Sequence, residues 1–115
     1  MDQLVFVYGT LRQGEANHHF LAGSELVAQY RTGPDFELYD LGPYPGLGQG
    51  KKEICGEIYR VSSEVLAQLD HLEDVPYEYR REKLDTPFGE TWIYLYQDAS
   101  KLSARIDSGD WCQRF

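Results

Sequence analysis

The apolar residues near the start of the chain form one unbroken run. Residues 4–8 are LVFVY, and a short apolar run without alternation is typical of a strand that is buried on both faces. The run ends at Gly9-Thr10, and glycine adopts backbone angles that other residues avoid and allows close approach to the main chain. We therefore predict a central strand followed by a tight loop. That loop is either a plain turn or the floor of a pocket, where the amide groups of residues 9–12 would bind a carboxylate or a developing oxyanion.

A short helical segment follows this loop. Residues 16–22 predict a helix that ends at Gly23. Its adjacent His18 and His19 would point about 100° apart, so they cannot share one metal ion. We expect both histidines at the surface.

Three further strands are predicted from apolar and alternating residues, at 26–32, 36–41 and 54–61. Gly56 in the last of them indicates a bulge or the close approach of another backbone. Residues 42–50 contain four glycines and two prolines, which predicts a loop. Its bulky residues are Tyr44 and Leu47. This loop is either a lid or a long surface connection.

A helix that begins near Glu64, capped by Ser62 or Ser63, carries the main chemical signal. At about 100° per residue its apolar side chains fall in one arc, which is expected to face the core. Glu73 lies inside this arc, so a carboxylate is directed toward the interior. The apolar members of the arc are Val65, Leu66, Leu69 and Leu72.

The position of Glu73 needs an explanation, because burying an ionised carboxylate without a partner costs several kcal/mol. Three explanations fit the pattern: a frayed last turn that exposes Glu73, a salt bridge to Arg80 or Arg81, or a functional carboxylate in a pocket. In a pocket, apolar walls and the negative end of the helix dipole would raise the pKa of Glu73. Such a group suits a general base or acid.

The C-terminal half predicts a hairpin. Pro76 ends the helix, and residues 77–86 and 90–97 are strands joined by the turn sequence TPFG at residues 86–89. Both faces of the second strand are covered, which favours a small closed barrel or a sheet flanked by helices. The faces carry Trp92, Tyr94 and Tyr96 on one side, and Ile93 and Leu95 on the other.

The tail and the cysteines complete the pattern. Residues 105–111 are expected to dock back on the barrel through Ile106 and Trp111. Cys55 and Cys112 are far apart, with no histidine or cysteine at metal-ligand spacing. We expect both thiols to be reduced and structural, and no metal site.

The composition indicates a single folded domain, residues 1–115, large enough to bury roughly two thirds of the surface of the unfolded chain. Eleven Lys and Arg against nineteen Asp and Glu give a net charge of −8, which disfavours nucleic acid and anionic membranes as partners. No apolar run approaches the ~20 residues that span a bilayer, and the first run lacks the basic flank of a signal peptide. A cytoplasmic protein is predicted.

Six pieces of the sequence, in order along almost the whole chain, resemble the γ-glutamylcyclotransferase family and its small bacterial members in particular. One such piece alone is a weak signal, but six in register make the resemblance specific. The pieces are VYGTLR at 7–12, LY at 38–39 with YPG at 44–46, GEIY at 56–59, LDHLE at 69–73 with Tyr79 and Arg80, residues 92–96, and SGDW at 108–111.

The resemblance implies an α+β fold, a small mixed β-barrel with a few flanking helices and one cavity. It implies that Glu73 is the catalytic acid and base. Tyr79, just past Glu73, is a candidate to orient this carboxylate. Arg12 or Arg80 is a candidate to attract the substrate's α-carboxylate, and either arginine is equally consistent with an exposed residue of the barrel. The resemblance also implies a small-molecule γ-glutamyl substrate and no cofactor or metal. The expected substrate-binding residues are Tyr8, Gly9, Thr10, Leu11, Arg12, Tyr44, Tyr79 and Arg80.

The reaction that the resemblance implies is cyclisation, in which the α-amino nitrogen of a γ-glutamyl group attacks its own γ-carbonyl and releases 5-oxoproline and an amine. Members of the family act on γ-glutamyl amino acids, γ-glutamyl-ε-lysine isopeptides or a γ-glutamylated antibiotic precursor, and the sequence does not choose among them. One alternative is a hydrolase or acyl transferase of γ-glutamyl amides, although a nucleophile motif such as G-x-S-x-G is absent. Another is a non-catalytic binding protein, in which Glu73 holds an ammonium group.

Overall fold

A computed structural model of the chain describes residues 2–114. Met1 and Phe115, at the ends of the predicted domain, lie outside the described residues. The elements within this range are β1 (Gln3–Val7), β2 (Glu25–Arg31), β3 (Phe36–Asp40), β4 (Pro45–Gln49), β5 (Cys55–Val61), α1 (Ser63–Leu72), β6 (Tyr79–Thr86), β7 (Gly89–Tyr96) and short 3-10 helices at His18–Leu21, Ala99–Lys101 and Trp111–Gln113.

Strand β1 lies at the centre of a five-stranded sheet with the order β2-β5-β1-β7-β6. It runs antiparallel to β5 and parallel to β7. Val5 and Phe6 are fully buried in the two separate cores on either side of the sheet, as predicted for a strand covered on both faces. Gly56 of β5 marks a close backbone approach, because a Cβ atom there would lie 2.3 Å from the carbonyl oxygen of Val7.

The predicted loop at residues 42–50 is wrong in its second half, where Pro45–Gln49 forms strand β4. This strand pairs antiparallel with β3 in a separate two-stranded sheet. Its glycines admit neighbouring side chains, since a Cβ atom on Gly46 would lie 2.9 Å from both Leu41 and Leu102. Pro45 occupies the first position of the strand, where proline is tolerated. With Leu47 fully buried, this strand is part of the core and not a lid.

The two sheets do not close into the predicted barrel. Strands β2 and β6 are the outer strands of the five-stranded sheet, and no backbone pairing joins them within residues 2–114. The β3–β4 hairpin packs on one face through Phe36 and Leu38, and α1 packs on the other through Leu66 and Leu69. The α+β class with a mixed sheet and few helices is confirmed, but the sheet is open.

Helix α1 forms as its sequence predicts. Ser62 is the N-cap, and its hydroxyl accepts a hydrogen bond from the Val65 amide at 3.2 Å. Leu66 and Leu69 are buried, whereas Ala67 on the opposite side is exposed. The apolar arc faces the sheet as expected.

The predicted helix at residues 16–22 is reduced to a 3-10 turn, His18–Leu21. A segment of seven residues is too short to offset helix nucleation by itself. His19 is exposed as predicted. His18 is half-buried instead, with Nδ1 3.0 Å from the Leu11 carbonyl oxygen and its ring against Tyr59.

The C-terminal half follows the prediction closely. Strands β6 and β7 pair in register from Tyr79–Tyr96 to Thr86–Gly89, and Ile106 and Trp111 of the tail are buried. Both cysteines are free thiols. Within residues 2–114, no group of three potential metal-ligating residues is found, and no helix has the length and apolar character needed to cross a bilayer.

Candidate active site

A cavity of about 250 Å³ opens where the end of β1, the end of α1 and the start of β6 meet. Seven of the nine predicted site residues line it, and Arg12 and Arg80 do not. The lining residues are Phe6, Val7, Tyr8, Gly9, Thr10, Leu11, Asn17, Tyr44, Pro45, Leu72, Glu73, Glu78, Tyr79 and Tyr94.

The glycine at the end of β1 is required by packing and not by an unusual backbone angle. Gly9 is not among the residues with positive φ. A Cβ atom at this position would lie 2.6 Å from Cγ of Pro45, closer than real Cβ contacts. The first residue of β4 therefore sits directly on Gly9, which corrects the conformational reason that the sequence suggested.

The loop after β1 presents unused amide groups at the cavity. The Arg12 amide is not one of them, because it donates to the Gly9 carbonyl at 3.1 Å. The N–H groups of Gly9, Thr10 and Leu11 donate no hydrogen bond to another residue in the described part of the chain. Asn17 fixes their geometry, since its backbone and side-chain nitrogens donate to the carbonyl and hydroxyl oxygens of Thr10 at 2.8 and 2.9 Å. Neighbouring amides without an acceptor in the protein are the donors that an anion-binding concavity uses.

Glu73 is the C-cap residue of α1 and lines the cavity. Its amide donates to the Leu69 carbonyl at 2.9 Å, so the last turn is intact and not frayed. Its carboxylate makes no hydrogen bond or ion pair with another residue of the 2–114 range. The two arginines considered as partners are engaged elsewhere, Arg80 with Glu82 at 2.6 Å and Arg81 with Asp70 at 2.9 Å.

The surroundings of Glu73 disfavour its charged form. Burial raises the pKa of Glu73 from its ordinary value of 4.5 to about 7, and the charge of Glu78 adds to the shift. A carboxyl group with a pKa near neutrality holds or releases a proton under the conditions of a cell.

Glu78 is a second carboxylate of the cavity, and it was not found from the sequence. Its Oε2 accepts hydrogen bonds from the hydroxyl groups of Tyr44 at 2.5 Å and Tyr96 at 3.4 Å. Glu78 lies in the short connection between Pro76 and β6, where no periodicity distinguishes a lining residue from an exposed one. The only local signal is its place between two tyrosines, Tyr77 and Tyr79.

Three tyrosines of the cavity wall are held by their hydroxyl groups. Tyr8 donates to the Tyr94 carbonyl at 2.7 Å, Tyr79 to the Pro45 carbonyl at 2.6 Å, and Tyr94 to Oδ1 of Asp70 at 2.8 Å. Burial raises the pKa of all three, so they remain protonated donors. Since the Tyr79 proton is directed to Pro45, this residue fixes the wall and does not hydrogen-bond to Glu73.

Arg12 belongs to a buried ion cluster outside the cavity. Its Nε lies 3.0 Å from Oε2 of Glu57 and its Nη1 lies 2.6 Å from Oδ1 of Asp110. Glu57 also accepts from the Gln13 amide at 3.0 Å and from the Tyr59 hydroxyl at 2.9 Å. We call Arg12, Glu57 and Asp110 the loop anchor, because they tie the loop after β1 to β5 and to the tail.

Arg80 lies on the exposed side of β6, where its guanidinium also contacts the side-chain oxygen of Gln97 at 3.2 Å. The structure therefore brings neither Arg12 nor Arg80 to the cavity. The predicted attraction of the substrate's α-carboxylate by one of these arginines has no geometric support.

Comparison with known proteins identifies the family of the chain. Residues 5–113 match the family described as gamma-glutamyl cyclotransferase, AIG2-like. The chain belongs to this family. The resemblance seen in the sequence is thereby confirmed, and the chain is an enzyme of the γ-glutamylcyclotransferase type.

Several relatives of this γ-glutamylcyclotransferase match along nearly its whole length. A putative gamma-glutamylcyclotransferase of Vibrio cholerae is 59% identical and covers 99% of each chain. The solution structure of YtfP from Escherichia coli is 38% identical, has a TM-score of 0.79 and covers 97% of this chain and 98% of that one. A gamma-L-glutamyl-butirosin B gamma-glutamyl cyclotransferase of Niallia circulans is 33% identical and covers 95% of this chain and 75% of its own.

Proposed function

We propose that the enzyme cyclises the γ-glutamyl group of a small γ-glutamyl amide to 5-oxoproline, with Glu73 as its general base and acid. One observation carries this proposal: the Glu73 carboxyl, whose pKa is raised to about 7, shares a cavity with the unused amides of the loop after β1. A proton-transfer group and an oxyanion-binding group then face the same small space. Amide cyclisation needs both.

The reaction needs no protein nucleophile. The substrate's α-amino nitrogen attacks its own γ-carbonyl carbon, a carbon–nitrogen bond closes the ring, and the carbon–nitrogen bond to the leaving amine breaks. Holding the two reacting atoms in contact is worth up to roughly 7 to 11 kcal/mol in favourable intramolecular cases. A cavity of about 250 Å³ is small enough to impose such a folded conformation on a γ-glutamyl group.

Glu73 moves the proton that the reaction requires. An α-ammonium group has a pKa near ~8, so it must lose a proton before it attacks. A carboxylate with a pKa of about 7 accepts this proton more readily than an ordinary glutamate. The attacking nitrogen loses a second proton when the ring closes. Glu73 passes one of the two protons to the nitrogen of the leaving amine, which therefore departs as a neutral amine, and the other proton is released to solvent.

The loop after β1 stabilises the tetrahedral intermediate. In the proposed mechanism the N–H groups of Gly9, Thr10 and Leu11 donate to the oxyanion, and one good donor contributes roughly 3 to 4 kcal/mol. Since no lysine or arginine is among the residues that line the cavity, neutral donors bind the substrate's α-carboxylate. Asn17 retains a second amide hydrogen that suits this role.

The test is turnover of a panel of γ-glutamyl amides, with 5-oxoproline and glutamate both followed by mass spectrometry. The wild-type enzyme is expected to release 5-oxoproline, and Glu73→Gln is expected to keep its fold and to bind substrate but to lose at least about 100-fold in kcat. Glu82→Gln is the matched control, because it removes an exposed carboxylate of β6. Release of glutamate alone would show a hydrolase, and unchanged turnover by Glu73→Gln would remove Glu73 from the mechanism.

A further inference from the structure

The loop after β1 is a chain of three consecutive β-turns, and each turn ends at the residue where the next one begins. The first turn spans residues 9–12, the second 12–15 and the third 15–18. They are closed by amide-to-carbonyl hydrogen bonds of 3.1, 3.0 and 3.2 Å. The amides proposed to bind the oxyanion all belong to the first turn, so their direction depends on what holds this turn in place.

Two of these amides are fixed in direction through their own peptide units. A trans peptide unit is planar, and its N–H and C=O groups point in opposite directions. The Thr10 N–H shares a unit with the Gly9 carbonyl, which accepts from the Arg12 amide. The Leu11 N–H shares a unit with the Thr10 carbonyl, which accepts from the Asn17 amide at 2.8 Å. A shift of the chain at Arg12 would therefore turn the proposed oxyanion donors.

Glu57 holds the junction between the first and the second turn. It lies on β5 opposite Val7, the last residue of β1, and it is 3% exposed. Its Oε1 accepts from the Gln13 amide at 3.0 Å, and its Oε2 accepts from Nε of Arg12 at 3.0 Å. One buried carboxylate of the sheet thus binds both the backbone and a side chain of the loop, through charge-assisted hydrogen bonds.

We propose that Glu57 is a positioning residue of the reaction, which holds the first turn so that its amides meet the oxyanion. This inference rests on the proposed cyclisation. Glu57 is not among the residues that line the cavity, so it acts through the loop and does not touch the substrate. A displacement of about 1 Å at a reacting centre costs up to about 100-fold in rate, so the loss of this contact is expected to slow turnover.

The geometry of the second turn allows the backbone contact to be removed alone. Its third residue, Gly14, has a φ of 81°, and Gln13 is not among the residues with positive φ. These angles are those of a type II turn, in which proline is common at the second position. Gln13→Pro therefore suits the turn but lacks the amide hydrogen that Glu57 accepts. The ion pair between Arg12 and Glu57 is retained.

Gln13→Pro is expected to lower kcat by at least about tenfold. KM should stay within about threefold of the wild-type value, because the amides bind the oxyanion more strongly than the carbonyl of the bound substrate. Gln13→Ala is the matched control, since it removes the exposed side chain but keeps the amide, and it should keep the wild-type kcat. The substrate is the γ-glutamyl amide of the panel that the wild type cyclises fastest, and circular dichroism confirms that each variant is folded.

A double-mutant cycle in kcat distinguishes the hydrogen bond from strain introduced by proline. Glu57→Met keeps the length of the side chain and removes both acceptors. The double variant Gln13→Pro/Glu57→Met is expected to be no slower than Glu57→Met alone, because both changes remove the same hydrogen bond. Losses that add would show that the proline acts independently of Glu57 and would overturn the inference. If Glu57→Met does not fold, the comparison of Gln13→Pro with Gln13→Ala decides.

The outcomes separate this inference from the proposed function. A wild-type kcat in Gln13→Pro, or an equal loss in Gln13→Ala, would overturn the positioning role of Glu57 and leave cyclisation standing. A rise in KM at unchanged kcat would also overturn it. Failure of the wild-type enzyme to form 5-oxoproline from any amide of the panel would contradict the proposed function itself.

Discussion

The loop anchor and the cavity each contain two carboxylates, and the two regions treat their charge in opposite ways. In the loop anchor, Glu57 and Asp110 both bind the guanidinium of Arg12 at 3.0 and 2.6 Å. In the cavity, Glu73 and Glu78 face no basic side chain among the described lining residues. The anchor therefore pairs its carboxylates with a cation inside the protein, and the cavity does not.

This difference separates a structural role from a chemical one. A buried carboxylate that is paired and hydrogen-bonded is held in its charged form and fixes the backbone around it. An unpaired carboxylate such as Glu73 has a raised pKa and exchanges its proton near neutral pH. The two regions are also connected, because Arg12 of the anchor belongs to the loop after β1, and Gly9, Thr10 and Leu11 of that loop line the cavity together with Glu73.

The largest expected effect comes from removing the cation of the anchor. Arg12→Gln leaves the buried carboxylate of Glu57 without its partner, so we expect a loss of about 3 to 5 kcal/mol in the free energy of unfolding. Urea unfolding measures this loss. The control is Arg60→Gln, whose pair with Glu25 has side chains 46% and 66% exposed, against 13% and 4% for Arg12 and Glu57.

The control variant Arg60→Gln is expected to lose less than about 1 kcal/mol in the free energy of unfolding. An equally small loss of unfolding free energy for Arg12→Gln would show that the loop anchor does not stabilise the loop. The structural role assigned to the anchor would then be wrong.

The second-largest effect is an increase in the free energy of unfolding, and it depends on pH. Because the pKa of Glu73 is raised on folding from 4.5 to about 7, the native state binds this proton more tightly than the unfolded state. Stability is therefore lost as the pH rises between those two values. Glu73→Gln removes this loss, so we expect the variant to be more stable than the wild type by up to roughly 3 kcal/mol above pH 7.

Urea unfolding of both proteins at pH 4 and pH 8 measures the difference, which should vanish at the lower pH. A variant less stable than the wild type at pH 8 would indicate that Glu73 is favourably paired in the native state.

Whether the sequence predicts the role of a charged residue depends on how far along the chain its neighbours in the fold lie. The phase of one helix and its apolar arc are enough to direct Glu73 inward, because every residue of that pattern lies within ten positions of it. The partners of Arg12 lie 45 and 98 residues away, and no local pattern pairs them. The ion pairs of the loop anchor therefore cannot be predicted from the sequence and are seen only in the structure.

Strand β4 also could not be predicted from its local sequence. Glycine and proline at residues 42–50 are typical of a turn, and the pairing with β3 that makes Pro45–Gln49 a strand does not depend on local propensity. Gly9 illustrates a related point, because its neighbour Pro45 comes from this unpredicted strand. The family resemblance supplied the loop residues of the site, but it did not supply Glu78.

The smallest expected effect is on the pH dependence of turnover. In the wild type, kcat/KM should fall on the acid side with an apparent pKa well above that of a free glutamate, because protonated Glu73 is no base. Glu78→Gln removes the charge that repels the Glu73 carboxylate. The acid-side fall of kcat/KM should therefore move to lower pH, by less than about one unit.

Profiles of kcat/KM between pH 5 and 8 for the wild type, Glu78→Gln and Glu82→Gln measure this shift, and Glu82→Gln should follow the wild type. A flat wild-type profile over this interval would count against Glu73 as the base, and an upward shift in Glu78→Gln would reverse the assigned repulsion.

The proposed mechanism requires that Glu73 holds a proton near neutral pH inside the cavity. Titration of its side-chain carboxyl carbon by ¹³C NMR, assigned by comparison with Glu73→Gln, tests this claim without any substrate. The expected midpoint is about 7. A midpoint near 4.5, the ordinary value of a glutamate, would contradict it.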